Sequence, residues 1–155
     1  MSPKAEAYRS VTRNKKARHA FEILEELECG IVLAGTEVKS LRAGHCSIAE
    51  AYARFQGTEL FLVGATIPEY RHGNIFNHEP AQKRKLLAHR REIARLGKKV
   101  RERGMTLIPL EVYFQGSRVK VKVGLCRGKK LYDKRQAQRD RDDQRSMERA
   151  TRRRR

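Results

Sequence analysis

A β-hairpin is predicted by three consecutive stretches, Thr106-Leu-Ile-Pro-Leu-Glu-Val-Tyr-Phe-Gln115, Gly116-Ser117 and Arg118-Val-Lys-Val-Lys-Val-Gly-Leu-Cys126. In the third stretch apolar residues alternate with lysine and glycine. Such a period of two is typical of a strand that buries one face and exposes the other. The glycine and serine between the strands supply the turn. The pattern therefore predicts an antiparallel sheet whose outer face is cationic at Lys120 and Lys122.

Further strands are predicted upstream of this hairpin. Residues 47–56 and 59–65 are apolar runs on either side of Gly57-Thr58, which indicates a second hairpin. From Ala20 onward, apolar and acidic residues alternate until the pattern slips at Leu24, and this slip is typical of a β-bulge. Residues 31–34 lie close to a glycine on either side and are predicted to form a short buried strand.

One long helix is predicted over residues 82–103, because its apolar residues follow one stripe with a period of 3.6 residues. These residues are Leu86, Ile93, Leu96 and Val100. A short helix is predicted over residues 37–42, with Thr36 as its cap, and a single basic turn begins with Asn14 as a possible N-cap. Residues 68–80 are predicted to form a long loop.

Together these elements predict a mainly β protein with flanking α-helices. We expect a small antiparallel OB-like barrel with one long and one or two short helices, because closure of a sheet removes its unpaired edges. A ferredoxin-like sandwich is less favoured, since only one long helix is visible. Residues 1–13 are expected to be disordered, residues 14–127 to form the OB-like domain, and residues 128–155 to form a basic C-terminal tail.

The charge of the chain points to a polyphosphate partner. The 36 lysines and arginines outnumber the 18 aspartates and glutamates and give a net charge of +18. Residues 127–155 hold 13 of the basic and 5 of the acidic residues, so both the domain and the tail are cationic. A basic domain joined to a basic arm is typical of a nucleic-acid-binding protein, because each neutralised phosphate releases counterions.

The tail has too few apolar residues to form a core stripe. We therefore expect it to be disordered in the free protein, and to be able to become helical when phosphates neutralise its arginines. A solvated tail with no fixed partner is the alternative. An anionic membrane surface is a weaker alternative, because the tail offers no apolar face for insertion.

Several other classes of protein are disfavoured. No apolar run of about 18 residues predicts a membrane span, and the N-terminal residues do not resemble a signal peptide, so we expect a cytoplasmic location. Cys29, Cys46 and Cys126 are widely spaced and are predicted to be reduced thiols. No phosphate-binding loop is present, and His72 and His78 lack partners at zinc spacing, so we expect no cofactor and no metal.

An acidic cluster at Glu25, Glu26 and Glu28 is open to three interpretations. A solvated acidic edge is favoured. A metal-dependent nuclease would need such carboxylates to hold its metal ion. Glu28 could instead accept hydrogen bonds from base amino groups or 2′-hydroxyl groups of RNA.

Four sequence blocks together resemble the SmpB (small protein B) family. These blocks are Asn14-Lys-Lys-Ala-Arg-His19, Gly30-Ile-Val-Leu-Ala-Gly-Thr-Glu-Val-Lys-Ser-Leu-Arg-Ala-Gly44, Arg84-Lys-Leu-Leu87 with His89, and Gly128-Lys-Lys-Leu-Tyr-Asp-Lys-Arg135. The resemblance covers residues 14–145 and is most specific in the second and fourth blocks. Small departures occur at Cys29 and Ala88, where alanine and leucine are usual in the family.

The resemblance implies an OB-like, RNA-binding domain over residues 14–127 and a non-enzymatic role in trans-translation. The implied partners are transfer-messenger RNA, through its tRNA-like domain, elongation factor Tu through the RNA complex, and stalled ribosomes. The tail would be helical on the ribosome, where it would sense an empty mRNA channel next to the small-subunit decoding centre. A monomer without a membrane partner is expected.

The resemblance also suggests roles for individual residues. Asn14, Glu28 and Leu87 match family positions that hold the RNA, and Lys15, Lys16 and His19 lie in the same surface block. Tyr132 matches a ring that stacks on a decoding-centre base. The other expected ribosome contacts are Gly128, Lys129, Lys130, Asp133, Lys134 and Arg135. The alternative function is that of a structural rRNA-binding ribosomal protein, which charge by itself does not separate from the adaptor role.

Overall fold

The computed structural model describes residues 7–71, 77–128 and 141–149. Seven β-strands and three numbered helices follow one another along the first two ranges. The strands are β1 Tyr8–Arg13, β2 Phe21–Ile31, β3 Tyr52–Gln56, β4 Glu59–Val63, β5 Arg84–Leu87, β6 Thr106–Gln115 and β7 Arg118–Gly128. The helices are α1 Lys15–Ala20, α2 Gly35–Arg42 and α3 Arg90–Arg103. The predicted mainly β protein with one long helix and one or two short helices is confirmed.

Six of the strands close into a ring, in the order β6-β3-β4-β5-β2-β7 and back to β6. All pairings between these strands are antiparallel. Strand β6 is long enough to take two neighbours on one edge: Leu107 pairs with β3, and residues from Glu111 to Gln115 pair with β1. The closure that the OB-like prediction required is therefore present, and β2 and β7 lie across the ring from β3 and β4.

The core fills the inside of this ring. Its most deeply buried apolar side chains come from strands on all sides of the ring, from α2 and from α3. They include Cys29, Leu41, Leu60, Leu62, Leu86, Leu96, Leu107, Val121, Val123 and Leu125. Because Leu96 of α3 belongs to this cluster, α3 packs against the ring with its apolar stripe and exposes its cations. Among the described residues, no helix has the length and apolar character to cross a membrane.

Both predicted hairpins are confirmed. Strands β6 and β7 turn at Gly116, and strands β3 and β4 turn at Gly57; both glycines have φ angles near 60°, which favours glycine. The predicted bulge at Leu24 is also present, since the β2–β7 register shifts between Ile23 and Glu25. Strand β3 is shorter than predicted: it begins at Tyr52, and Ser47 makes only an isolated bridge to Thr66.

The predicted disorder of residues 1–13 is wrong for Tyr8–Arg13, which forms β1 on the free edge of β6. The sequence of this segment is short and polar, and it becomes ordered because β6 offers it a row of unpaired backbone groups. Residues 1–6 lie outside the described part of the chain.

The predicted helix over residues 82–103 is wrong in its first third. Arg84–Leu87 forms strand β5 between β4 and β2, and α3 begins only after His89. Leu86 fitted the helical stripe because a single apolar position is compatible both with the helical period of 3.6 residues and with the strand period of two. Tertiary pairing on both sides overrides the local helix propensity there. Gly104 ends α3 in the left-handed region, as expected.

The region after β2 also differs from the prediction. Ile31 is the last residue of β2 and Val32 is exposed, so residues 31–34 are not a separate buried strand. Helix α2 begins at Gly35 with Ala34 as its N-cap, and Thr36 instead hydrogen-bonds His78. At the C-terminal end, residues 141–149 form a helix with every residue exposed. The disorder of the tail in the free protein and its helical state on the ribosome both stay predictions.

Candidate nucleic-acid interface

Glu28 is an exposed carboxylate on the outer face of β2. Its side chain is 50% exposed, and its Oε1 atom lies 3.9 Å from the Lys120 Nζ atom of the neighbouring strand β7. The Tyr113 hydroxyl group donates a hydrogen bond to the Oε2 atom of Glu28. The neutral Tyr113 hydroxyl group therefore holds the Oε2 atom. The Oε1 atom faces the Lys120 ammonium group at the long end of ion-pair distances.

Tyr113 lies below this carboxylate and is itself only 4% exposed. Its ring centroid is 5.2 Å from that of Tyr8 on β1, so the strand missed by the sequence prediction helps to cover it. Burial is the main cause that raises the pKa of Tyr113, and the hydrogen bond to Glu28 adds to it. The phenol consequently stays protonated and remains a donor near neutral pH.

Leu87 joins Glu28 on the same side of the sheet. It lies on β5 directly opposite Gly30 of β2, two residues after Glu28, and alternation puts residues 28 and 30 on one face. Leu87 is 48% exposed. A Cβ atom at position 30 would come within 3.3 Å of the Leu87 Cβ atom, so the glycine lets Leu87 lie close over β2. The structure thus brings together two of the predicted RNA-binding residues.

Helix α1 carries the predicted basic block at the start of β2. Lys15, Lys16 and His19 are exposed, and Lys16 makes only a loose, solvent-exposed pair with Glu50 at 3.6 Å. Arg18 reaches Glu26, which precedes Glu28 by two residues on the outer face of β2, at 3.7 Å. Of the α1 cations, Arg18 therefore borders the face that carries Glu28, whereas Lys16 lies toward Glu50.

Asn14 is a different kind of residue, because it is only 5% exposed. Its Oδ1 atom accepts from the Ala17 N–H at 3.1 Å, which confirms the predicted N-cap. Its Nδ2 group donates to the main-chain oxygens of Ile48 and Pro109 at 3.2 and 3.1 Å. These bonds engage both ends of the amide inside the protein, so Asn14 holds α1 in place.

The acidic cluster separates into carboxylates with different partners. Glu25 does not lie on the face that carries Glu28. Its carboxylate pairs with Arg95 and with Lys99 of α3, the latter at 3.0 Å. Hydrogen bonds from Lys99 and then Arg95 lower the pKa of Glu25. Within the described ranges, no group of three histidine, cysteine, aspartate or glutamate residues is arranged to hold a metal ion. A nuclease site built jointly from Glu25 and Glu28 therefore has no geometric support.

The three cysteines are unpaired thiols, as predicted. Burial raises the pKa of Cys29 to about 12 and the pKa values of Cys46 and Cys126 to about 11. All three therefore remain protonated at neutral pH and act as apolar packing groups. Cys29 is fully buried, so it does not share the outer face of its neighbour Glu28.

Two buried polar clusters were not found from the sequence. Glu37 of α2 and Arg84 of β5 form a fully buried ion pair. They are 47 residues apart in the sequence, so no sequence pattern indicates that they are in contact. His78 bonds the Thr36 hydroxyl at 2.8 Å and the Ile67 oxygen at 2.7 Å, which gives the histidine a structural role in the loop before β5. His72 lies outside the described residues.

Tyr113 was also missed, although a signal existed. The predicted β6–β7 hairpin already placed it opposite Lys120, on the cationic outer face. Of the predicted ribosome contacts, only Gly128 is described, at the end of β7. The others, Lys129, Lys130, Tyr132, Asp133, Lys134 and Arg135, lie outside the described residues.

Comparison with known proteins assigns the chain to a family. Residues 11–153 match the family model described as SmpB protein. The chain belongs to the SmpB family. This confirms the resemblance drawn from the four sequence blocks, and the matched range reaches from β1 into the tail.

Other SmpB family members support the assignment. The chain is 51% identical over 147 residues to the SsrA-binding protein of Desulforudis audaxviator (strain MP104C), covering 95% of this chain and 96% of that protein. It is 49% identical over 142 residues to the SsrA-binding protein of Magnetococcus marinus (strain ATCC BAA-1437 / JCM 17883 / MC-1), covering 92% and 95%. The similarity therefore spans nearly the whole of each protein.

A solved structure agrees with this SmpB fold. It is described as "tmRNA-SmpB: a journey to the center of the bacterial ribosome", and its matching chain is 47% identical to this one. The TM-score is 0.67, with 83% of this chain and 94% of that chain covered. At this level of identity, the ring of strands and its flanking helices belong to a fold shared with that SmpB chain.

Proposed function

We propose that this chain is a non-enzymatic RNA-binding adaptor of trans-translation. It binds the tRNA-like domain of transfer-messenger RNA and accompanies it, with elongation factor Tu, to ribosomes stalled without a stop codon. The observation that carries this proposal is membership of the SmpB family over residues 11–153, together with the likeness to a chain solved as tmRNA-SmpB in the bacterial ribosome. A cytoplasmic monomer fits this role.

The folded domain supplies the RNA-binding surface. Phosphates of the RNA meet the exposed cations of α1, and Leu87 offers an apolar contact opposite Gly30, on the face that carries Glu28. Glu28 repels phosphate, so its useful partners are hydrogen-bond donors, namely base amino groups and 2′-hydroxyl groups. The cations supply affinity for phosphates, and the oriented Glu28 carboxylate fixes the position of the RNA along the surface.

The tail supplies a second, separate recognition. Strand β7 ends at Gly128, and the sequence that follows it is Lys-Lys-Leu-Tyr132, in which two cations precede a ring able to stack on a base. The exposed helix at residues 141–149 supports a tail that is helical inside the mRNA channel, where the arginines of residues 128–155 would face rRNA phosphates. Lys129, Lys130, Asp133, Lys134 and Arg135 belong to this proposed contact.

Deletion of residues 133–155 tests whether the folded domain and the tail make separate contacts with RNA and ribosome. The truncated protein is expected to bind the tRNA-like domain with nearly unchanged Kd, since the proposed contacts of the folded domain are intact. It is expected to fail in tagging peptides on ribosomes stalled without a stop codon. The two measurements are an RNA titration at fixed salt and a reconstituted tagging assay with the same protein preparation.

A matched control replaces residues 133–155 by a scrambled sequence of the same composition. This control keeps the net charge of the tail, so its failure to tag peptides would separate sequence-dependent recognition from charge. Equal loss of RNA affinity and tagging on truncation would contradict the model of two recognitions. A protein that stays at one copy per ribosome after high-salt washing would favour the structural ribosomal protein instead.

A further inference from the structure

Tyr113 and Glu28 are linked across an intervening strand. Tyr113 lies on β6 opposite Lys120 of β7, and Glu28 lies on β2 opposite Lys122 of β7. The tyrosine hydroxyl group therefore spans β7, a width of about 9 to 10 Å between the outer strands, to reach the carboxylate. A contact that crosses a strand in this way fixes the glutamate side chain in one orientation.

The surroundings of Glu28 make this restraint consequential. Its carboxylate is half-exposed and lies beside Lys120 and Lys122, both of which point to the same outer face. A flexible glutamate in this position would turn toward a lysine and form an internal ion pair. The Tyr113 hydroxyl group holds the Oε2 atom instead, and the Oε1 atom stays 3.9 Å from Lys120 and keeps acceptor capacity for an external donor.

We propose that Tyr113 is a positioning residue for RNA recognition: its hydroxyl group orients the Glu28 carboxylate so that Oε1 accepts a hydrogen bond from a base amino group or a ribose 2′-hydroxyl group. This inference rests on the proposed function. Tyr113 itself does not contact the RNA, because its side chain is buried and its ring packs on Tyr8. The ring supplies rigidity, and the hydroxyl group supplies orientation.

The decisive experiment is a double-mutant cycle on RNA affinity. Tyr113→Phe removes the hydroxyl group and keeps the ring, while Glu28→Ala removes the carboxylate. RNA carrying the tRNA-like domain of transfer-messenger RNA is titrated at fixed salt with the full chain and with each variant. Tyr113→Phe is expected to weaken binding about fivefold, which is the scale of releasing one ordered side chain and one hydrogen bond.

In the Glu28→Ala background, the same Tyr113→Phe change is expected to have no further effect on Kd. This coupling separates positioning from a merely structural role, because general loss of stability would weaken both backgrounds equally. Tyr70→Phe is the matched control: it removes a phenol hydroxyl group from the loop after β4, beside Lys39 of α2 and outside the proposed RNA-binding surface, and is expected to leave Kd unchanged. Urea unfolding of each variant confirms that it is folded.

The possible outcomes separate this inference from the proposed function. If Glu28→Ala weakens binding and Tyr113→Phe does not, the positioning role is wrong and the adaptor function stands. Equal effects of Tyr113→Phe in both backgrounds would also overturn the positioning role. If Glu28→Ala has no effect while the unchanged protein binds RNA, the carboxylate is a solvated edge. Absence of binding by the unchanged protein would instead contradict the proposed function.

Discussion

The Nδ2 group of Asn14 donates a hydrogen bond to the main-chain oxygen of Pro109, 3.1 Å away, and so fastens the start of α1 to strand β6. The backbone N–H of Asn14 also donates to the oxygen of Leu110, at 2.8 Å. These bonds lie where the edge of β6 passes from β3 to β1. Asn14 therefore closes a gap in the sheet, and α1 depends on it for position.

Asn14→Ala is expected to lower the free energy of unfolding by about 3 kcal/mol, because it leaves buried carbonyl oxygens and one helix N–H without partners. RNA affinity should fall as well, since Lys15 and Lys16 lose their support. Urea unfolding and RNA titration, performed on the same preparation, check the two effects.

Lys15→Ala is the matched control, because this neighbouring side chain is exposed. It should leave the free energy of unfolding within about 0.5 kcal/mol of the original value and still weaken RNA binding. If Asn14→Ala behaved in the same way, the asparagine amide would have to contact the RNA directly rather than through α1.

The Arg84–Glu37 ion pair is expected to be the most sensitive polar contact of the core. The guanidinium group also donates to main-chain oxygens at residues 65, 80 and 82 at 2.9 to 3.0 Å. Arg84→Lys keeps the charge but loses the planar fork that reaches these acceptors. We expect the free energy of unfolding to fall by about 3 kcal/mol, measured by urea unfolding.

Arg90→Lys provides the comparison for this prediction, since Arg90 is exposed at the start of α3. Its effect should be within about 0.5 kcal/mol. A similarly small effect of Arg84→Lys would show that an ammonium group satisfies the same buried acceptors. The stability of the core would then depend on a positive charge at position 84 and not on the planar guanidinium group.

The sequence predicted the hairpins well because their signals are local. A tight turn at Gly116 and the alternation around Lys120 act within a few residues, and the bulge at Leu24 is a local slip. By contrast, β1 and β5 are strands because other strands have free edges beside them. Their own residues are polar or favour a helix, so only the assembled sheet decides their conformation.

The residues of the candidate site also divide into those that the sequence predicted and those that only the assembled sheet brings together. The resemblance to the SmpB family pointed to Glu28 and Leu87, and the structure places both on one face. The partner of Glu28, Tyr113, is 85 residues away and contacts it across β7. Long-range pairs of this kind depend on strand order and register, which a single sequence does not display.

Glu25 should contribute to the dependence of stability on pH. Its contacts with Lys99 and Arg95 hold the pKa below the ordinary value of 4.5 in the folded protein. This stabilising contribution is fully present above the pKa of the unfolded chain and is lost as the pH falls through the lower, folded pKa. Because the carboxylate is partly solvated, the effect should be about 1 kcal/mol or less.

Comparison of the original protein with Glu25→Gln between pH 7 and pH 3 tests this. The difference in their unfolding free energies should be constant above about pH 5 and should shrink below about pH 4.5. It should also shrink in 1 M salt, which screens the pair. A difference that is independent of pH would show that packing of the side chain on α3, rather than its charge, sets the contribution.

Tyr132→Ala tests whether the residues after Gly128 recognise the ribosome or merely connect two segments. The change removes one ring and keeps Lys129 and Lys130, so electrostatic attraction to rRNA is preserved. Because base stacking on an aromatic ring is worth about 1 to 3 kcal/mol, we expect peptide tagging to fall about tenfold or more, with an unchanged Kd for the tRNA-like domain. Tyr132→Phe, which keeps the ring, should restore tagging. Unimpaired tagging by Tyr132→Ala would reduce the segment to a linker.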